Sequence, residues 1–280
     1  MEVVVRPALP GDKAPLMSFI KEVWGGHDYI PDVWDDWLDD DRGRMYVADM
    51  NGVPVAMNRV SFLEDGSAWF QGARVHPTYR GLGVATLLGE NSMKIAAQRG
   101  VKVFRLTTAS RNFASRRQIG RMGFMEVARF SVYEPPEGSR LTSGHVERLS
   151  KDDGDLMELL SSTEEYRLGA GVYWYSFVAT SLTPEVVRRL SAEGAIWRLG
   201  NAVAIVKVGG EGSETWEQVC FVGGPAADSC RLVTAAVSRR TGARGWVFVP
   251  QKSPVIHALR RAGFRRGFSQ ILFERRAANG

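Results

Sequence analysis

Arg80-Gly81-Leu82-Gly83-Val84-Ala85 is the stretch whose residue types and spacing carry chemistry. It follows Val75-His76-Pro77, where Pro77 closes a β-prone run because it has no N–H to give to a ladder. From Val84 onward the residues favour a helix with Ala85, Leu87 and Leu88 on an apolar face. The first turn of a helix leaves about four N–H groups without partners, and the aligned peptide dipoles put roughly half a positive charge there. Gly81 and Gly83 remove the side chains that would hold an anion away from those amides, and Arg80 adds a full charge. A pyrophosphate suits such a seat.

Two familiar phosphate loops do not fit. A dinucleotide fingerprint needs G-x-G-x-x-G at the first βα turn of a chain, whereas Gly81 and Gly83 lie mid-domain and lead into a helix carrying Glu90. A P-loop needs G-K-[ST], which is absent here. R-x-x-G-x-A after a strand ending in V-x-P resembles instead the acetyl-CoA loop of the GNAT superfamily of N-acyltransferases. A second segment, Leu106 to Phe124, resembles that family's N-x-x-A-x-x-L-Y-x-x-x-G-F: Asn112 matches the asparagine, Ser115 takes the small position and Gly123-Phe124 the ending, while Ile119 stands where tyrosine is common.

The elements needed to position these motifs can be read in order. Val3 to Val5 form a strand, and Arg6 to Asp12 resembles the family's opening, with Asp12 a good N-cap. A helix is predicted from Ala14 to Val23, with Leu16, Phe19, Ile20 and Val23 on one face. Asp32 to Asp41 carries Val33, Trp34, Trp37 and Leu38 at helical spacing. Arg44 to Ala48 and Val53 to Val60 flank Asn51-Gly52, the strongest short hairpin signal. Strands at Ala68–Val75 and Val101–Leu106 bracket the loop and its helix. A helix at Ala114–Arg121 and a strand at Met125–Tyr133 finish a plan that resembles the GNAT fold: an α/β class protein with an α+β mixed sheet.

Composition sets wider limits. The 280 residues allow two domains, and 44% hydrophobic with 24% charged residues is the balance of a globular protein. No apolar run nears the ~20 residues that span a bilayer, and no signal peptide is evident at Met1 to Arg6, so a cytoplasmic protein without membrane partners is expected. Cys220 and Cys230 fall in no metal or C-x-x-C spacing, so neither disulfide nor metal is expected. The net charge of +5 hides a basic tail: Arg231 to Gly280 holds eleven Lys/Arg against one acid, Glu274. These charges fall in dispersed pairs at element ends. A solvated or anion-facing surface is therefore expected, and nucleic acid is not.

The predicted domains are residues 1–134 with the acetyl-CoA loop, a linker at 135–143 rich in Pro and Gly, and 144–280. In the last the grammar recurs: His145 to Leu149 with Asp152 and Asp153 echoes the opening, and Ile196 to Val208 with Trp216 to Val222 makes a meander. Gly245 to Val249 echoes Val101 to Leu106, and Ala258 to Phe264 repeats the G-F ending. Phe221-Val222-Gly223-Gly224-Pro225-Ala226 lacks R-x-x-G-x-A, and Pro225 removes an amide. The expectation is tandem GNAT folds, the second degenerate and without the CoA loop.

The resemblance implies a site. Ala73, Arg74 and Val75 would bond the pantetheine arm through their main chain. Arg80 and the amides of Gly81, Leu82, Gly83, Val84 and Ala85, with Thr86, would hold the pyrophosphate, and Asn112 and Ser115 would meet the arm. Arg111, Arg116 or Arg117 would reach the 3′-phosphate. The family's usual glutamate on strand four falls near Gln71, which is no base and is placed here among the substrate contacts. Asp28, His27, His76 and Glu126 are the replacements, with Ser115 or a water as proton donor to the leaving thiolate. Trp24, Asp28 and Tyr29 would line the acceptor side, and G-G-H-D-Y-I-P with W-x-x-W-L is similar to the histidine N-acetyltransferase branch. The implied reaction is acetyl transfer from acetyl-CoA to a primary amine of a small molecule or free amino acid. Still open are a non-catalytic acyl-CoA-binding or regulatory protein, an acetyltransferase of protein N-termini or lysines, and a homodimeric assembly.

Overall fold

A computed structural model of the chain describes residues 3–136, 146–150, 154–211, 214–238 and 245–277. His145, Asp152, Asp153, residues 137–143 of the expected linker and the pair Arg239-Arg240 lie outside the described residues. In chain order the elements are β1 Val3–Pro7, α1 Lys13–Ile20, α2 Ile30–Asp39, β2 Gly43–Met50, β3 Val53–Phe62, β4 Ala68–Val75, α3 Val84–Gln98, β5 Val103–Ala109, α4 Phe113–Arg121 and β6 Met125–Glu134. They continue with β7 Glu147–Arg148, α5 Leu156–Ser161, α6 Glu164–Leu168, β8 Val172–Tyr175, β9 Val178–Ser181, α7 Pro184–Ala192, β10 Ile196–Leu199, β11 Ala202–Glu211, β12 Glu214–Gly223, α8 Ala226–Val237, β13 Trp246–Pro250, α9 Val255–Arg261 and β14 Arg265–Arg276. The class is mixed α/β with a mixed sheet, as expected.

Two compact units divide the chain. Met1–Thr107, Phe113–Met125 and Phe273–Gly280 form the first, and Thr108–Asn112 and Glu126–Leu272 the second. A single cut after residue 134 does not produce this division. From Glu126 onward β6 groups with the second unit, where Phe130 to Tyr133 pair antiparallel with Val247 to Pro250 of β13. The last residues of β14 group with the first unit, where Glu274 accepts from Arg105 at 3.0 Å and the Ala277 N–H donates to Lys102 O at 2.9 Å.

In the first unit β1, β2, β3 and β4 run antiparallel in sequence order, and β5 joins β4 in parallel. Asn51 and Gly52, both left-handed at φ 54° and 84°, make the tight β2–β3 turn that this dipeptide favours. α1 and α2 bury Leu16, Phe19, Ile20, Ile30 and Trp34 against Met45, Val47 and Met57 of the sheet. Each such large side chain contributes roughly 1.5–3 kcal/mol by leaving water. α3 packs on β3 through neighbouring Asn58, whose amide exchanges hydrogen bonds with the buried Ser92 hydroxyl at 3.1 and 3.2 Å.

Two irregularities shape the end of β4. Met57 faces Arg74 while Arg59 faces Gln71, so Gly72 and Ala73 together oppose Asn58 alone: a β-bulge. Gly72 has φ +69°, and a Cβ there would lie 2.7 Å from the Trp37 ring, so only glycine lets α2 approach. On the other side the β4–β5 ladder ends at Phe70 and Leu106, although β4 continues to Val75. Gln71 to Val75 thus run past the last rung.

The second unit repeats this order of connections: β10, β11 and β12 antiparallel, then α8, then β13 parallel to β12. It adds the hairpin β8–β9 and helix α7, which were not anticipated. Among the described residues no helix is long and apolar enough to cross a membrane.

Candidate functional site

Pro77–Tyr79 form one 3-10 turn past β4, capped by His76, whose Nδ1 accepts the Thr78 N–H at 3.3 Å. The His76 ring also packs on Phe19 and Tyr79, with centroids 5.0 and 5.5 Å away, so this histidine is a structural cap. Arg80 then turns back, its Nε donating to Val75 O at 3.2 Å. Gly81 and Gly83 both take φ 80°, and Gly83 caps the fifteen-residue α3 without a side-chain bond. Arg80, Gly81, Leu82 and Gly83 are exposed, Ala85 and Thr86 half-buried, and Val84 buried in the core. A Cβ at Gly81 or Gly83 would meet nothing within 4 Å. The glycines are there for their backbone geometry, and the space before the helix start is open. The first-turn amides of α3, with Arg80 beside them, can therefore accept an anion.

Asp28 is placed differently from its expected role as base or ammonium partner. Its side chain is 0% exposed. Oδ2 accepts Arg74 Nε at 2.6 Å, and Oδ1 accepts Arg74 Nη2 and the Ile30 N–H, each at 3.1 Å. A buried carboxylate needs such partners, and with them it serves to fix Arg74 and the start of α2. Tyr29 lies half exposed beside this pair, with the Arg74 guanidinium 5.6 Å over its ring and Trp37 edge-on at 5.8 Å. The structure thus joins Asp28, Tyr29 and Arg74 in one cluster at the bulge of β4.

Gln71 is half-buried and donates to Ser61 Oγ at 3.4 Å. Opposite it in the ladder stands Arg59, which sequence reasoning missed. This guanidinium is 1% exposed. It donates to Ser61 Oγ at 3.1 Å, to Asp40 at 2.7 Å and to Trp37 O at 2.5 Å. Burial pushes its pKa below the ordinary arginine value, and Asp40 pulls the other way. An arginine inside the apolar run Val53–Phe62 was the available signal.

The remaining candidates are scattered. His27 is exposed, and the side chain of Trp24 lies outside the described residues. Ser115 is half-buried in α4, and Ile119 is 4% exposed, so the family's tyrosine position is part of the core. Asn112 and Glu126 belong to the second unit: the Asn112 N–H closes a turn on Ala109 O at 2.9 Å, and Glu126 is tied to Arg129 with one contact of 2.8 Å. Both cysteines are free thiols, and burial drives that of Cys220 well above its usual value.

The site is thus an exposed glycine turn that opens a helix after a bulged strand outrunning its parallel neighbour. Residues 14–124 match the model of the acetyltransferase (GNAT) family. The chain is 32% identical over 197 residues to the human protein "Probable N-acetyltransferase 16", covering 63% of this chain and 53% of that one. It is 34% identical over 95 residues to histidine N-acetyltransferase of Oreochromis niloticus, covering 33% and 28%. The chain thus spans about half, or less, of the curated relatives it matches. A crystal structure of a GCN5-related N-acetyltransferase from Sphaerobacter thermophilus shares the fold at TM-score 0.61 and 15% identity, covering 98% of this chain and 95% of that one.

Proposed function

We propose that this protein transfers the acetyl group of acetyl-CoA to the primary amine of a small molecule or free amino acid, with histidine the leading acceptor. The observation that carries the reading is the open turn from Arg80 to Gly83 before α3, beside a β4 segment that extends past its last β5 partner. Arg80 and the amides of Gly81 to Ala85 hold the paired phosphates. Main-chain groups of Ala73, Arg74 and Val75 take the pantetheine arm, and one N–H among them polarises the thioester carbonyl, where charge develops during attack.

Transfer is direct: the amine nitrogen bonds to the thioester carbon as the carbon–sulfur bond breaks. The thiolate leaves with a pKa near the usual thiol value of about 8.5, so Ser115 or water suffices to protonate it. The acceptor loses its proton to water or to His27, because Gln71 cannot take one and Asp28 is committed to Arg74. Tyr29 lines the acceptor side, and the similarity to histidine N-acetyltransferases supports an amino-acid acceptor.

A second reading, an acyl-CoA-binding regulatory protein, is favoured by Gln71 and by the buried Ile119. Release of CoA thiol from acetyl-CoA with a panel of amines separates the two. Acceptor-dependent release, with histidine among the best substrates, supports the enzyme. CoA binding without any acceptor-dependent release supports the sensor.

A further inference from the structure

Between β4 and α3 the first unit has residues 76–83; between β12 and α8, at the same point of the second unit's topology, there are only Gly224 and Pro225. This shortened turn is closed. Gly224 has φ +114°, and a Cβ on it would come within 2.5 Å of Asn201 O, while one on Gly223 would meet Thr163 Oγ1 at 2.7 Å. A carboxylate of the protein itself sits here. Glu165, on α6 and 1% exposed, accepts the Gly224 N–H on Oε2 at 3.1 Å and the Ser253 hydroxyl on Oε1 at 2.7 Å. Ser253 in turn accepts the Val255 N–H at 3.0 Å.

Among the described residues both donors to Glu165 are neutral, and burying a carboxylate is costly unless donors and dipoles face it. The start of the twelve-residue α8 supplies such a field. The two units therefore treat the same topological position in opposite ways. In one, two left-handed glycines and an arginine stand open to solvent. In the other, a short turn is sealed over an acidic side chain.

We propose that Glu165 is a resident anion filling, in the second unit, the place that the first unit leaves open for a phosphate, so that each chain binds one acetyl-CoA. The inference rests on reading Arg80 to Ala85 as the CoA seat, and calorimetric titration of the full chain with CoA keeps the two apart. The expected result is one site per chain in the wild type and none in Gly83→Glu. Two sites in the wild type would overturn the role of Glu165; no binding in the wild type, or one site persisting in Gly83→Glu, would instead overturn the seat. The carboxylate itself is tested with Glu165→Ala placed in the Gly83→Glu background. Inorganic phosphate at tens of millimolar is expected to raise the melting temperature of the double variant by ~2 °C or more beyond its effect on Gly83→Glu alone, as a newly bound anion must. An equal rise in both variants would contradict the proposal. Should Glu165→Ala fail to fold, Ser253→Ala provides the second arm. It keeps the carboxylate in place, and it is expected to leave the stoichiometry at one and to gain no phosphate response, whereas a response as large as that sought in Glu165→Ala would contradict the assignment.

Discussion

The Asp28 carboxylate, wholly shielded from water, takes both the Nε and the Nη2 hydrogens of Arg74, at 2.6 and 3.1 Å. The loop entering α2 is thereby tied to β4 one residue past its bulge. Removing one member leaves an uncompensated buried charge, which costs about 3–5 kcal/mol. Asp28→Ala is expected to lower the urea-unfolding free energy by that order, and the Asp28→Leu/Arg74→Met pair by much less. A loss under about 1 kcal/mol for Asp28→Ala would mean that Arg74 finds water easily.

Gln71 faces Arg59 in the β3–β4 ladder and bonds to Ser61, which Arg59 also contacts. A carboxylate at position 71 would meet the same hydroxyl and, under the proposed function, would act as base toward the attacking amine. Gln71→Glu is expected to raise kcat/KM near neutral pH by about a hundredfold, at the low end of general-base effects. It should also introduce an acidic limb in the pH–rate profile. An unchanged profile would show that residue 71 does not face the acceptor.

The Arg6 guanidinium spans Asp12 and Asp49, with bonds of 2.7 and 2.8 Å to Asp12. Burial raises the Asp12 carboxyl's pKa, but the bonds from Arg6 and the Leu9 amide outweigh it, and the net shift is downward. A carboxyl whose folded pKa is depressed stabilises the fold above its unfolded value of about 3.9 and loses that contribution as pH falls through the folded value. Stability of the wild type should therefore fall more steeply below about pH 4 than that of Asp12→Asn. Parallel acid-unfolding curves would contradict this.

Ser176 and Phe177 turn the β8–β9 hairpin with φ 46° and 63°, a left-handed geometry that costs side-chain-bearing residues about 1–2 kcal/mol each. The Ser176 N–H donates to Gln218 Oε1 at 3.2 Å, a bond that survives substitution of the side chain. Ser176→Asn, which tolerates this region better, is expected to stabilise the protein by about 0.5 kcal/mol. A loss of stability in thermal melts would show that the serine hydroxyl matters.

These elements also mark what could be read from the chain alone. The loop after β4, the Asn51-Gly52 turn and the strand–helix order were legible because each is specified by neighbours a few residues apart. The first helix stops at Ile20 and not at Val23, because Val23–Gly26 form a 3-10 turn with Gly25 and Gly26 at φ 67° and 91°. The β8–β9 hairpin was hidden by a Ser-Phe tip where Asn-Gly would have announced it. Partners far apart in sequence left no local trace: Asp28 with Arg74, Glu165 with Gly224, and β6 with β13. The candidate site was legible as an exposed glycine turn before a helix, whereas the partners of its carboxylates were not. A carboxylate's role depends on what buries it, and spacing does not report that.

Titration of acetyl-CoA into the wild-type protein and into Arg80→Glu tests the account most directly. Arg80 is exposed and, among the described residues, its side chain bonds to Val75 O in its own loop, so the fold should survive the change, which circular dichroism can verify. Reversing its charge beside bare helix amides is expected to weaken acetyl-CoA binding at least about a hundredfold, since both the cation and the field it reinforces are lost. Affinity unchanged in a folded Arg80→Glu protein would mean that the phosphates lie elsewhere.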